Sequence, residues 1–195
     1  MNEKKSCMVE NHNDIQIRLA VPDDAPFIAW GLVEALGWND GDEEKLNIIS
    51  RLVTMDDVLY SWRNAVVAYD SQGQKAGVMI AYDGADYARM RTKTFDYLER
   101  YMPIPYKDME DESKKGEFYL DSLAVAPQMR KKGIGRQLLE WGICRARMLR
   151  IPQVVLAVDP DNQRAQALYR KIGFLPAGEL HIFGGVYWRW VISLK

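Results

Sequence analysis

Cysteine is scarce: Cys7 lies in a polar tail and Cys144 inside a helical pattern, and the 195 residues contain no others. Two thiols without metal-ligand spacing exclude a disulfide framework and fit a reducing interior. No window holds enough consecutive apolar residues to span a bilayer. Residues 1–14 lack the apolar core of a secretion signal and read as a flexible polar tail. A cytoplasmic protein with no membrane partner is therefore expected. Net charge is missing too, since 26 basic residues face 27 acidic ones for a formal charge of -1. Such balance offers no global field for a nucleic-acid backbone, so nucleic acid is not an expected partner. Any anion site must be a local cluster. Internal repeats and low-complexity segments are also absent.

The remainder is ordinary for a globular chain, with 48% hydrophobic and 27% charged residues, long enough for one well-filled domain over 15–195. Ile15-Gln16-Ile17-Arg18-Leu19-Ala20 alternates as a half-buried strand does. Pro22-Asp23-Asp24 follows as a turn and helix start. Helices are expected over 27–36 and 43–53, then two strands over 65–69 and 76–82 with a hairpin at Ser71-Gln72-Gly73-Gln74. A helix over 86–101 is stopped by Pro103 and Pro105, and a charged loop over 107–116 follows. Strand 118–125, helix 135–150, a strongly apolar strand 154–158 and helix 161–172, ended by Gly173, come next. Strands 179–183 and 186–194, joined at Gly184-Gly185, close the chain. Alternating strands and helices with terminal hairpins imply a mixed α/β domain.

The richest stretch is Val125-Ala126-Pro127-Gln128-Met129-Arg130-Lys131-Lys132-Gly133-Ile134-Gly135-Arg136. A strand ends, three consecutive cations follow, and two glycines lead into a helix. A helix start offers unpaired N–H groups and partial positive charge, which suits a pyrophosphate. Glycine removes the β-carbon that would keep a ligand off the backbone. Taken alone, the segment reads equally as a solvated basic loop capping a helix. A nucleotide P-loop needs Gly-x-x-x-x-Gly-Lys-Ser/Thr, and no such run exists. A dinucleotide fold needs a third glycine where Leu138 stands, and its strand must end nearer Gly133 than Val125 does.

Downstream, Ala165, Leu168, Tyr169 and Ile172 fall on one helical stripe, with Asn162 or Asp161 placed to cap it. Alone, Asn162 is an ordinary cap and Tyr169 an ordinary core residue. Together the two segments resemble the GNAT superfamily of acetyl-CoA-dependent N-acetyltransferases. Its first signature is Gln or Arg, two residues, Gly, one residue, then Gly or Ala, matched by Arg130, Gly133 and Gly135. Its second is an Asn, a helix with Leu-Tyr and a Gly-Phe ending, matched by Asn162, Leu168-Tyr169 and Gly173-Phe174. The likeness covers 117–174 closely and Ile17-Arg18-Leu19-Ala20 faintly.

The resemblance implies a mixed, mostly antiparallel central sheet flanked by helices, with acetyl-CoA as co-substrate, no metal, and an amine as acceptor. Backbone groups of Leu123, Ala124 and Val125 would hold the pantetheine arm as an added strand does. Arg130, Lys131, Lys132, Gly133, Ile134, Gly135 and Arg136 would receive the pyrophosphate, and Asn162 would touch the cofactor beyond it. Tyr169 would face the sulfur and protonate the departing thiolate. An alkylamine of pKa ~10.4 must lose a proton before attacking. Asp121 is the first candidate base and Glu117 the second, because an unbroken strand would turn both to the face of Leu123 and Val125. Both residues also read as plain strand positions.

The family passes from its third strand to its fourth through a short hairpin, whereas here residues 84–116 intervene as a helical insertion. Their position implies a lid or wall over the acceptor site, with Asp108, Glu110, Asp111 and Glu112 either drawing a cationic amine or forming a solvated loop. A non-enzymatic acyl-CoA-binding or regulatory module, and an acyltransferase with another donor or acceptor, remain open readings. Tyr187-Trp188-Arg189-Trp190 either lines a homodimer contact or covers the core.

Overall fold

A computed structural model describes residues 14–38, 41–102 and 106–194. The expected tail over 1–14, apart from Asp14, lies outside them, as do Cys7, Pro103 and Pro105. Strand β1 (Gln16–Leu19) leads through a 3-10 turn at Pro22–Asp24 into α1 (Ala25–Ala35). Helix α2 (Glu43–Thr54) starts where the Asp42 carboxylate accepts the N–H groups of Glu44 and Lys45 at 2.9 and 3.1 Å. Strands β2 (Ala65–Tyr69) and β3 (Lys75–Asp83) form the expected hairpin, its turn pinned by Asp70, which accepts from Gln72 and Gln74. Helix α3 (Tyr87–Leu98) ends short of residue 101. Then come β4 (Glu117–Val125), α4 (Ile134–Met148), β5 (Gln153–Val158), α5 (Gln163–Ile172), β6 (Leu175–Ile182) and β7 (Gly185–Ser193).

The seven strands lie in the order β1-β2-β3-β4-β5-β7-β6. Strands β4 and β5 run parallel, and the other pairs are antiparallel. Both faces are covered, which is why the middle strands are apolar on both sides. One core packs Ile28, Leu52 and Phe95 of α1, α2 and α3 against Val67, Val78 and Tyr119. The other packs Leu138 and Ala146 of α4 against Met79, Leu120, Val154 and Trp190. Close helix–sheet contact needs small residues. A β-carbon on Gly31 would sit 2.1 Å from Val78 Cγ1, and one on Gly142 would sit 2.7 Å from Leu120. The aromatic tail covers the core: Trp190 is fully buried, and Tyr187 and Trp188 pack on opposite faces.

Strand β4 is not unbroken. Ile80 pairs with Ser122 but the next residue, Ala81, pairs with Leu120, so Asp121 is an extra residue in a bulge. The extra residue inverts the alternation. Tyr119 faces the α1–α3 core, whereas Leu123 and Val125 pack toward α4. The shared face expected for Glu117, Asp121, Leu123 and Val125 is therefore wrong, because side chains keep period two only while the ladder is regular.

Candidate active site

Strand β5 bonds to β4 only from Glu117–Tyr119 to Gln153–Val155, after which the two strands part. The Ala126 N–H goes to Ala76 O in β3 at 2.9 Å, so alternation turns the polar groups of Ala124 to β3 as well. Those of Leu123 and Val125 point the other way, along the open edge. Of the three residues expected to present their backbone, two do so.

The loop after β4 turns sharply into α4. Lys131 and Gly133 take left-handed φ values of 64° and 80°. The first bond of the helix runs from Gln137 N–H to Gly133 O at 3.1 Å, leaving Ile134, Gly135 and Arg136 N–H groups without an intrahelical acceptor. No side chain caps this end. The cations around it differ. Arg130 is tied to Val125 O at 3.1 Å and to Glu34 at 3.3 Å, and Arg136 to Glu140 at 2.7 Å. Lys132 Nζ lies 3.5 Å from Met129 Sδ, and all four cations are exposed. A β-carbon on Gly135 would sit an ordinary 3.7 Å from Leu123, so alanine fits there, whereas Gly133 is set by its φ.

Helix α5 forms the other wall. Asn162 Oδ1 accepts Ala165 N–H at 3.0 Å, as a cap does, while the residue still lines the cleft. Buried Gln166 donates to Asp159 O and Pro160 O, holding the turn that carries Asn162. Tyr169 is wedged edge-on between Phe174 and Trp190, its hydroxyl without a hydrogen-bond partner among the described residues. Burial pushes that hydroxyl up to about 12.

One cleft of about 790 Å³ joins these parts, within the ~300–1,000 Å³ usual for ligand sites. Gly133, Gly135, Arg136, Ala165, Leu168 and Tyr169 line one end. The gap between β4 and β5 leads to the other, lined by Trp38, Glu112, Tyr119, Asp121, Phe183 and Tyr187. The unpaired helix start, the open strand edge and the apolar flank of α5 suit an anionic, elongated ligand such as a coenzyme A thioester. Among the described residues, no group of three or more His, Cys, Asp or Glu side chains is placed to hold a metal ion. Nor is any helix among them long and apolar enough to cross a membrane.

The far end holds two carboxyl groups, Glu112 buried and Asp121 half-buried. Asp121 accepts the Tyr82 hydroxyl at 2.6 Å and the Ser122 hydroxyl at 2.7 Å. Glu112 accepts the Tyr119 hydroxyl at 2.8 Å. Burial pushes both above the ordinary carboxyl range, and the Asp121 charge helps push Glu112 to about 8. Glu117 is buried as well but lies off the cleft lining, paired with Arg189 at 2.8 Å.

The sequence grouped Glu112 with Asp108, Glu110 and Asp111 as either drawing a cationic amine or forming a solvated loop, and of the four only Glu112 lines the cleft. Its neighbours do behave as that loop: Glu110 pairs with His181, and Asp111 is an exposed partner of Arg91. No residue type or spacing sets Glu112 apart from them, and only the fold shows that Glu112 and Ser113 are buried. The lining of the cleft takes Glu112 from the insertion, while α3 behind it is core rather than cover.

The family model described as Acetyltransferase (GNAT) family matches residues 55–174, more than half of the chain. A D-amino-acid N-acetyltransferase of Saccharomyces cerevisiae is 41% identical over 56 residues, 29% of this chain and 35% of that relative. The chain thus spans about a third of that relative's length. A crystal structure described as an acetyltransferase has a TM-score of 0.73 at 22% identity, over 92% of this chain and 100% of that one. An N-acetyltransferase from Staphylococcus aureus Mu50 has a TM-score of 0.70 at 23% identity, over 91% and 100%. At these identities the two structures speak for the fold, a mixed sheet flanked by helices.

Proposed function

Because the chain belongs to the acetyltransferase (GNAT) family, we propose that it moves the acetyl group of acetyl-CoA onto an amine by direct attack within one ternary complex. The observation that carries this reading is the parting of β4 from β5, which opens one cleft between an unpaired helix start and a carboxyl-lined floor. Backbone N–H groups of Ile134, Gly135 and Arg136 would take the diphosphate, with exposed Lys131 and Lys132 adding attraction. The open edge of Leu123 and Val125 would hold the pantetheine arm and put an N–H beside the developing oxyanion. The bound thioester supplies an activated acetyl carbonyl.

Tyr169 carries the leaving-group role. With its hydroxyl pushed up to about 12, it stays protonated at neutral pH and is always a donor. It is a weaker acid than a thiol of pKa ~8.5. Proton donation to sulfur therefore lags behind C–S cleavage, as negative charge builds on the sulfur. A cytoplasmic location accompanies this reading, supported by the free thiol of Cys144.

A thiol-release assay with acetyl-CoA and a broad panel of amines tests the activity. Tyr169→Phe should lower kcat by about 10²–10⁴ and leave acetyl-CoA affinity, read by tryptophan fluorescence, unchanged. Equal turnover in the variant would remove Tyr169 from the chemistry. No thiol release with any amine would count against transfer as the function.

A further inference from the structure

Two acids line the acceptor end, Glu112 buried and Asp121 half-buried. Glu112 is 5% exposed, and neither it nor Asp121 makes an ion pair among the described residues. The cations nearby are directed elsewhere: the Arg91 charge reaches Glu112 but its guanidinium pairs with Asp111 at 3.5 Å, and Arg189 donates to Glu112 backbone O at 2.8 Å and pairs with the Glu117 carboxylate. What surrounds the acids is phenolic. Tyr119 donates to Glu112, Tyr82 donates to Asp121, and the two rings lie 5.8 Å apart. Tyr87 stacks behind Tyr82, and its hydroxyl accepts the Glu112 backbone N–H at 3.1 Å.

The segment carrying Glu112 is held from three sides. Arg91 of α3 donates to Tyr106 O and Met109 O, Glu110 and His181 of β6 exchange bonds, and Arg189 of β7 takes Glu112 O. The carboxyl group is thus fixed at the cleft wall by the fold. Burial and the Asp121 charge outweigh the Arg91 charge in raising Glu112, and like charges at such a site do not both ionise, so the pair keeps one proton between its members. It then presents one negative charge to the cleft, where Trp38, Phe183 and Tyr187 supply aromatic surface that also favours a cation.

We propose that Glu112 and Asp121 act as a one-proton carboxyl pair that seats the acceptor's ammonium group and takes the proton it must lose before attack. The proposal rests on the transfer reading above. An ammonium R–NH3+ gives one proton to the singly ionised pair, leaving two neutral carboxyls and R–NH2. The nitrogen lone pair forms the C–N bond to the acetyl carbon, and the C–S bond breaks with its electrons left on sulfur. The nitrogen sheds a second proton as the sulfur gains one. The pair returns its proton to solvent through the cleft, so each turnover releases one proton. The acceptor class that follows is a primary amine that is cationic in solution and flanked by apolar surface.

Glu112→Gln and Asp121→Asn keep an acceptor oxygen for each tyrosine, and thermal melts check folding. Each should lower kcat/KM at pH 7 by about 100-fold or more without changing acetyl-CoA affinity. The double variant should be little worse than either single one, because the pair acts as a unit. Losses that multiply, or a Glu112→Gln rate within a few-fold of the parent, would overturn the proposal. An arm that needs no turnover uses 13C-carboxyl glutamate NMR, with butylammonium and 1,5-diaminopentane as probes and butanol as control. The Glu112 signal should titrate well above other glutamates, move down in Asp121→Asn, and shift with the amines only. A Glu112 signal that ignores both Asp121→Asn and the amines would refute the pair. Absent thiol release with normal NMR behaviour would instead fault the transfer reading.

Discussion

Asp24 shows how a residue that reads in the sequence only as part of a helix start can gather a buried ion cluster. The Pro22-Asp23-Asp24 turn marks a helix start in the sequence, but Asp24 is 1% exposed and gathers Arg18 at 2.8 Å, Lys75 at 2.9 Å, the Val21 N–H and the Tyr69 hydroxyl. Burial pushes its carboxyl up, but the bonds from Arg18, Val21, Lys75 and Tyr69 outweigh it and hold the group far below the usual range. A carboxyl depressed in the fold adds stability above its unfolded pKa, ~3.9, and loses it as pH falls through the acid range. Asp24→Ala should therefore cost about 3 kcal/mol near neutrality, with the gap to the parent closing below about pH 4. Urea midpoints across pH 2–7 check this, and a gap constant down to pH 2 would contradict it. Glu112 has the opposite sign. Raised in the fold to about 8, it favours the native state below its unfolded pKa, and this contribution fades as pH climbs toward 8. Neither residue could be separated from its charged neighbours by type or spacing alone. Partners on other elements decide both cases, Tyr69 and Lys75 for Asp24 and Tyr119 for Glu112.

At the scale of elements, strands and helices were legible where one periodicity ran unbroken. The β2–β3 hairpin and helix α4 match expectation closely, because turn residues and an apolar face agree there. The β4 bulge was invisible, since no glycine or proline marks it and Asp121 itself is the extra residue. Asp121 thus reaches the cleft by a different route from the one its spacing implied. The turn expected to receive the pyrophosphate does lead from a strand end into the start of α4, and its glycines are not equivalent. Gly133 has a φ of 80° with open space beyond it, whereas Gly135 has ordinary helical backbone and ordinary neighbours. Gly133→Ala should destabilise by about 1–2 kcal/mol through its left-handed φ and weaken coenzyme A binding as the turn relaxes. Gly135→Ala should change both little. Paired melts and fluorescence titrations read the contrast, and equal effects at the two positions would mean that the turn's φ is not what shapes the site.

For the whole molecule, the site exists because a seven-stranded sheet is continuous at β1 to β4 and at β5 to β6 but opens between β4 and β5 beyond residue 119. The mixed α/β class followed from the alternation of elements. The insertion of β7 between β5 and β6 did not, because strand order depends on pairings that no local pattern encodes. An opening in a sheet leaves backbone groups without partners, and a ligand that pairs with them stabilises the native state by mass action. Coenzyme A at ~100 times its Kd should add about 2.7 kcal/mol, a rise of roughly 5–11 °C in Tm for a chain of this size. The rise should shrink in Gly133→Ala and persist in Glu112→Gln if, as proposed, the diphosphate and the acceptor take opposite ends of the cleft. Loss of the rise in Glu112→Gln, with Gly133→Ala unaffected, would reverse the orientation of the ligand in the cleft and both roles built on it.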